Sequence, residues 1–275
     1  FRLDPKISYF ERYSKKLVEM ELLPQDVQLK LISLKRHKKG SGWGSAKPYL
    51  WLIYFKIDGE AITLTNEFLL NGAPIFQFSE GSHGNLGIKS MGNTDRVDIP
   101  EKIGLWKTTF EPLHIPYFEG KISGALGVMM ILMEQNNVSA QGAEAGHQAL
   151  NSFFKSSFTQ LVEDFRPTMI NIQDPFKSVM DYFSNGTSGY ARKMGAAVGN
   201  AVKDNQNIVQ NLWSLVNKDN MIGFAVRQFT LPKLIKHQHL NFSKKWETDK
   251  YGTWEVFGEI SATPFTKEEG IGKKE

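Results

Sequence analysis

The run Leu126-Gly127-Val128-Met129-Met130-Ile131-Leu132-Met133 carries no charge and, Gly127 apart, consists of large apolar side chains. It closes on the polar Glu134-Gln135-Asn136-Asn137. A continuous apolar run of this length is too short for a membrane span and has no exposed parity, so it predicts a strand buried on both faces. The residues that follow are polar with helical periodicity, and strand-like character returns only at Met221-Ile222-Gly223-Phe224-Ala225-Val226. Residues 138–217 are therefore expected to be a helical insertion leaving one loop of a β-domain, with its two ends meeting because the flanking strands share a sheet.

The rest of the chain supplies that β-domain. Asp4-Pro5 provides an N-cap and a first-turn proline, Ile7, Phe10, Leu17 and Val18 follow at helical spacing, and Pro24 ends the element, predicting an N-terminal helix within residues 1–26. Val27, Leu29 and Leu31 alternate with Gln28 and Lys30, predicting a half-buried strand; the apolar parity then shifts to Ile32 and Leu34, which predicts a bulge. Tyr49 to Ile57 is an aromatic and β-branched strand closed by Asp58-Gly59, a hairpin signal that predicts Ala61 to Leu64 pairing back on it. Short strands and long loops are expected over 66–98, a strand at Leu105 to Phe110, and closing strands near Trp246 and from Trp254 to Ala262. Within the insertion, Leu150, Phe153, Phe154, Phe158, Leu161, Val162 and Phe165 form one helical stripe halted by Arg166-Pro167; two further amphipathic helices follow, the last from Ser188. The domain plan is thus a helix over 1–26, a β-sandwich over 27–137 and 218–265, the insertion over 138–217, and a loose charged tail over 266–275.

Composition narrows the function classes. A net charge of +4, from 33 basic against 29 acidic residues, is too small to imply nucleic acid. The absence of cysteine removes disulfides, thiolate metal sites and cysteine nucleophiles together; it fits a reducing cytosol or a peripheral membrane location and leaves secretion open. No apolar run approaches a membrane span and Phe1 opens no signal-like segment; since Phe1 is not an initiator Met, upstream residues are expected.

Three fragments in order resemble the C2 domain, an antiparallel β-sandwich that many proteins use at membranes. Lys47-Pro48-Tyr49 through Asp58-Gly59 is similar to the family's Asp-Pro-Tyr strand opening. Val128 to Asn136 is similar to its strand running into an acidic loop. Asn217-Lys218-Asp219-Asn220-Met221-Ile222-Gly223 with Leu231-Pro232-Lys233-Leu234 is similar to its Asp-Phe-Ile-Gly strand and Leu-containing turn. The resemblance implies a C2-like α+β fold. It also implies a calcium site in the first and third loops, whose remaining oxygen donors here are Glu134, Asn136 and Asp219. Lys47 stands where an aspartate is expected, and Ca²⁺ takes six to eight oxygen ligands, so no cofactor is expected.

The basic loop is the more promising surface. Arg36, Lys38, Lys39 and Lys47 surround Trp43, a combination that attracts anionic lipid headgroups while the indole sits at the interface. The alternative is a solvated, mobile connection, which Gly40, Gly42 and Gly44 also suit. Glu144 and His147, three residues apart, share a helix face as metal ligands can, but a solvent-exposed helix start is the preferred reading. His237 and His239 are placed on one face of a strand, in an edge role. Ser79 to Asn85 contains Ser82 and His83 but lacks the strand, sharp turn and helix of a nucleophile elbow. The leading expectation is a non-enzymatic binding or assembly module whose partner is an anionic membrane surface or a protein, self-association being open. A membrane-damaging effector using the inserted helices is the alternative, and an enzyme with a site around His83 or His147 the third.

Overall fold

A computed structural model describes residues 22–41, 44–67, 69–81, 83–115, 120–136, 139–165 and 220–266. The longest strand is β1 (Gln25–Lys38), which buries Val27, Leu29 and Leu31 on one face. It lies between β13 (Gly252–Pro264) on one edge and, on the other, β7 (Leu105–Phe110) followed by β6 (Arg96–Asp98). The hairpin partner β12 (His239–Thr248) completes the sheet beyond β13. The register of β1 slips between Leu31 and Ser33, so the bulge expected from the parity change is present. It starts two residues before the expected Val27, with Gln25 and Asp26 pairing with Pro264 and Thr263. Residues 1–21 lie outside the described residues.

The second sheet runs β11 (Asn220–Phe229), β10 (Ala125–Glu134), β2 (Pro48–Ile57), β5 (Ile75–Phe78), all antiparallel. β2 is buried at all ten positions and β10 from Ala125 to Met133, as the continuous apolar runs demand. Glu134 faces Asn220 across the ladder, so the chain leaves β10 and re-enters β11 at one place. The sheets face each other through Leu29, Leu31 and Leu34 of β1, Trp254 and Val256 of β13, Leu50 and Leu52 of β2, and Val128 and Met130 of β10. Each such side chain, fully removed from water, contributes roughly 1.5–3 kcal/mol. Trp246 Nε1 on β12 donates to the Phe224 carbonyl on β11 (2.9 Å) and Gln77 Nε2 on β5 to the Leu105 carbonyl on β7 (3.1 Å), joining the sheets along both lateral edges.

A helix, α2 (Ala140–Glu163), forms a third layer on the outer face of the second sheet; the one-turn α1 (Glu101–Gly104) precedes β7. Ser139 caps α2 by accepting from the Gly142 N–H (3.1 Å). The expected stripe is realised: Leu150, Phe154, Phe158, Leu161 and Val162 are buried against Trp51, Phe55, Met129 and Ile131. This packing makes α2 part of the core and not an appendage to it. The two later helices expected in the insertion fall outside the described residues.

Two local expectations are corrected. β3 (Ile62–Leu64) does not pair back on β2 but forms a ribbon with β4 (Leu70–Gly72), because both edges of β2 are occupied by β10 and β5. The turn at Asp58-Gly59 is held by buried charge. Asp58 and Lys56 are fully buried 3.3 Å apart; Lys56 Nζ also binds the Thr109 carbonyl (2.6 Å) and Glu60, and Asp58 Oδ2 accepts from the Glu111 N–H (2.9 Å). Burial pushes the Asp58 carboxyl pKa up, and the Lys56 ammonium opposes that shift. The Gly59 N–H donates to the Glu111 carbonyl (3.0 Å), which sets the turn against the segment leading into the ribbon of β8 (Leu113–Ile115) and β9 (Gly120–Ile122). His237 and His239 do not share a strand: His237 ends α3 (Leu231–His237), Gln238 takes φ 52°, and His239 begins β12.

Candidate functional site

Connections gather at one end of the sandwich, where β1 ends and β2 begins. The base of the basic loop is anchored at several points. The Lys39 N–H donates to Asn93 Oδ1 (3.1 Å), the Ser41 N–H to the Asp249 carbonyl (2.8 Å), and Ala46 and Met91 exchange both main-chain hydrogen bonds (3.0 and 2.7 Å). Gly252, at φ +83°, lies so close to Lys38 that a Cβ there would overlap the Lys38 carbonyl; only glycine fits this crossing. A cleft of about 630 Å³ opens between loop and turn, lined by Lys38, Lys39, Ser41, Asp249 and Thr253 among others.

The sequence-selected surface residues separate into two groups. Lys38, Lys39 and Lys47 are exposed and make no ion pair among the described residues. Arg36 is 5% exposed: its guanidinium lies over the Trp254 ring at 5.0 Å and its Nη1 donates to the Met91 carbonyl (2.9 Å). Burial lowers its pKa, while Glu134 and Asp95 favour the charge. Arg36 is therefore a strut beneath the loop and not part of its surface. Trp43 lies outside the described residues. Lys89, which sequence reasoning passed over, is also exposed, two residues before the Met91 bridge; nothing in the local sequence ties it to the loop, because the Ala46–Met91 pairing is a long-range contact.

Two of the calcium candidates are among the described residues. Glu134 is half-buried opposite Pro48, the Gln135 N–H donates to the Lys47 carbonyl (2.9 Å), and Asn136 is exposed. Asp219 lies outside the described residues, and among the described residues no three His, Asp or Glu side chains converge.

Beside this end the structure assembles a cluster that the sequence shows only in pieces. Tyr49 meets His83 edge-on (4.9 Å between centroids) and Trp51 (6.1 Å), and Trp51 stacks on His147 of α2 (5.6 Å, 26°). His147 is fully buried, against the expectation of an exposed helix start, because α2 begins ten residues before Leu150 and so lays its first turns on the sheet. Burial holds the imidazole pKa down at about 4, Glu144 opposing. The Ser79–Asn85 segment continues the edge of β2 beyond β5. Ser79 Oγ donates to the Leu52 carbonyl (3.3 Å), and the Asn85 side chain accepts from the Leu50 N–H (3.1 Å) and donates to its carbonyl (2.6 Å), replacing a neighbouring strand.

Among the described residues, no helix is long and apolar enough to cross a membrane. Comparison of the chain with protein-family models, with curated proteins and with solved structures gives no match.

Proposed function

We propose that this chain is a non-enzymatic binding module, C2-like in plan with residues 138–217 inserted between β10 and β11, that attaches peripherally and reversibly to an anionic lipid surface through the end carrying Lys38, Lys39 and Lys47. The observation that supports this reading is the exposure of these ammonium groups, unpaired among the described residues, on a loop whose base is anchored. A lysine near an anionic membrane contributes about 1 kcal/mol, so three, with Lys89 as a fourth, supply roughly 3–4 kcal/mol, enough for weak attachment. Trp43 lies in the same loop and suits the interfacial zone. Asp249 and Glu247 at the cleft moderate the field, but Glu247 is already paired with Lys245 (2.6 Å).

Sedimentation with phosphatidylserine-containing vesicles at two ionic strengths tests this. Changing Lys38, Lys39 and Lys47 to Gln should weaken binding at least about tenfold and flatten its salt dependence. The same change at Lys121, Lys233 and Lys236, at the opposite end of the sandwich, should do much less. Trp43→Ala should weaken binding without altering the salt slope. A wild type that ignores anionic vesicles, or two triple variants that behave alike, would overturn the reading and direct attention to a protein partner. Dye release from the same vesicles would instead support the membrane-damaging alternative.

A further inference from the structure

His147 is the one ionisable side chain among the described residues with every polar atom buried and without a hydrogen-bonding partner. An apolar side chain of similar shape would fill this place without the penalty of two unsatisfied nitrogens. The imidazole lies between the Trp51 ring and the backbone of Gly81, so close that a Cβ at Gly81 would overlap it. Gly81 is in turn held on both sides: its N–H donates to Glu144 Oε2 (3.0 Å) and its carbonyl accepts from Trp51 Nε1 (2.6 Å). Helix, loop and strand thus meet at one ring, and an imidazole that moves must disturb all three.

We propose that His147 is a proton-operated latch: when the imidazole takes up a proton, the first turns of α2 and the Ser79–Asn85 loop come away from β2 together. An imidazolium here has little to compensate it. On α2 the nearest charge is Glu144, whose carboxylate already accepts from Gly81 and from Gln148 Nε2 (3.3 Å). In the loop, Glu80 is exposed and paired with Lys102 (2.9 Å), and His83 sits on Tyr49. β2 offers Tyr49 and Trp51 on this face, and β10 offers Ile131 and Met133, none of them charged at neutral pH. The opening is local. From Leu150 onward α2 is held by Phe154 and Phe158 against Phe55 and Phe76, contacts that one proton does not outweigh. The depressed imidazole pKa described above is consistent with this geometry and places the transition on the acid side of neutrality.

Hydrogen exchange of the full chain, corrected for intrinsic rates, at pH 7 and pH 5 tests the latch. A shift from 6.5 to about 4 makes the open form about twentyfold more populated at pH 5 than at pH 7. Protection over 79–85 and 140–148 should fall by that factor, while β10 and β13 keep theirs. His147→Phe should abolish the pH dependence in both spans. Gly81→Ala, which wedges a methyl against the ring, should lower protection there already at pH 7. Protection independent of pH in the wild type, or His147→Phe with an unchanged pH dependence, overturns the proposal. Should His147→Phe fail to fold, the wild-type imidazole NMR titration decides: a His147 that titrates at the ordinary histidine value overturns the latch, and one depressed in step with the loss of protection supports it.

Discussion

Phe158 on α2 is the side chain whose removal best tests whether the helix is part of the core. It is fully buried, stacked on Phe154 (4.2 Å, 27°), edge-on to Phe55 of β2 (4.9 Å) and to Phe76 of β5 (6.0 Å). Phe158→Ala removes the ring and leaves a cavity between helix and sheet. Buried Phe→Ala changes cost about 3–5 kcal/mol, and contact with three other rings places this one toward the upper end. At roughly 2 °C per kcal/mol for a chain of this size, Tm should fall by on the order of 10 °C. The assay is urea unfolding followed by far-UV circular dichroism and by tryptophan fluorescence. Three of the six tryptophans, Trp106, Trp246 and Trp254, lie in the inter-sheet core, while Trp51 packs against α2. Both midpoints should move together with m unchanged, while the exposed Lys155→Ala should shift either by less than about 0.5 kcal/mol. A helical signal that shifts while the fluorescence transition stays in place would refute the reasoning, because α2 would then unfold apart from the sandwich.

The folded state holds His147 neutral, so between pH 6.5 and about 4 the unfolded chain binds more protons. Its contribution to stability is complete above pH 6.5 and is lost as pH falls toward 4, by about 3 kcal/mol in all; thermal unfolding across that range should show a loss in the wild type that His147→Phe largely removes. At the opposite end, Lys56→Met leaves Asp58 buried without its cation and should cost about 3–5 kcal/mol in urea unfolding, much of it regained in the Lys56→Met/Asp58→Asn double variant; a single variant within about 1 kcal/mol of wild type would mean that the pair is solvated in solution.

What the sequence determined by itself is the set of elements whose periodicity is local. The two-face burial of β10, the bulge of β1 near Ile32 and the apolar stripe of α2 were all legible, because each follows from which side chains alternate or recur along a few turns of chain. That the strands flanking residues 138–217 share a sheet was legible too, while the pairing of Glu134 with Asn220 came from the fold. What only the tertiary structure decided depends on contacts between residues distant in sequence. Arg36 looks like its basic neighbours until Trp254 and Met91, far along the chain, draw it inward. Ala61 to Leu64 could not pair with β2 because β10 and β5 had already taken its edges. His147 looked like an exposed position because its burial depends on Trp51 and Gly81, which the sequence does not place beside it. A single chain states which residues avoid water; which of them meet is settled by competition for strand edges and for the limited space between layers, and that competition is resolved only in the folded molecule.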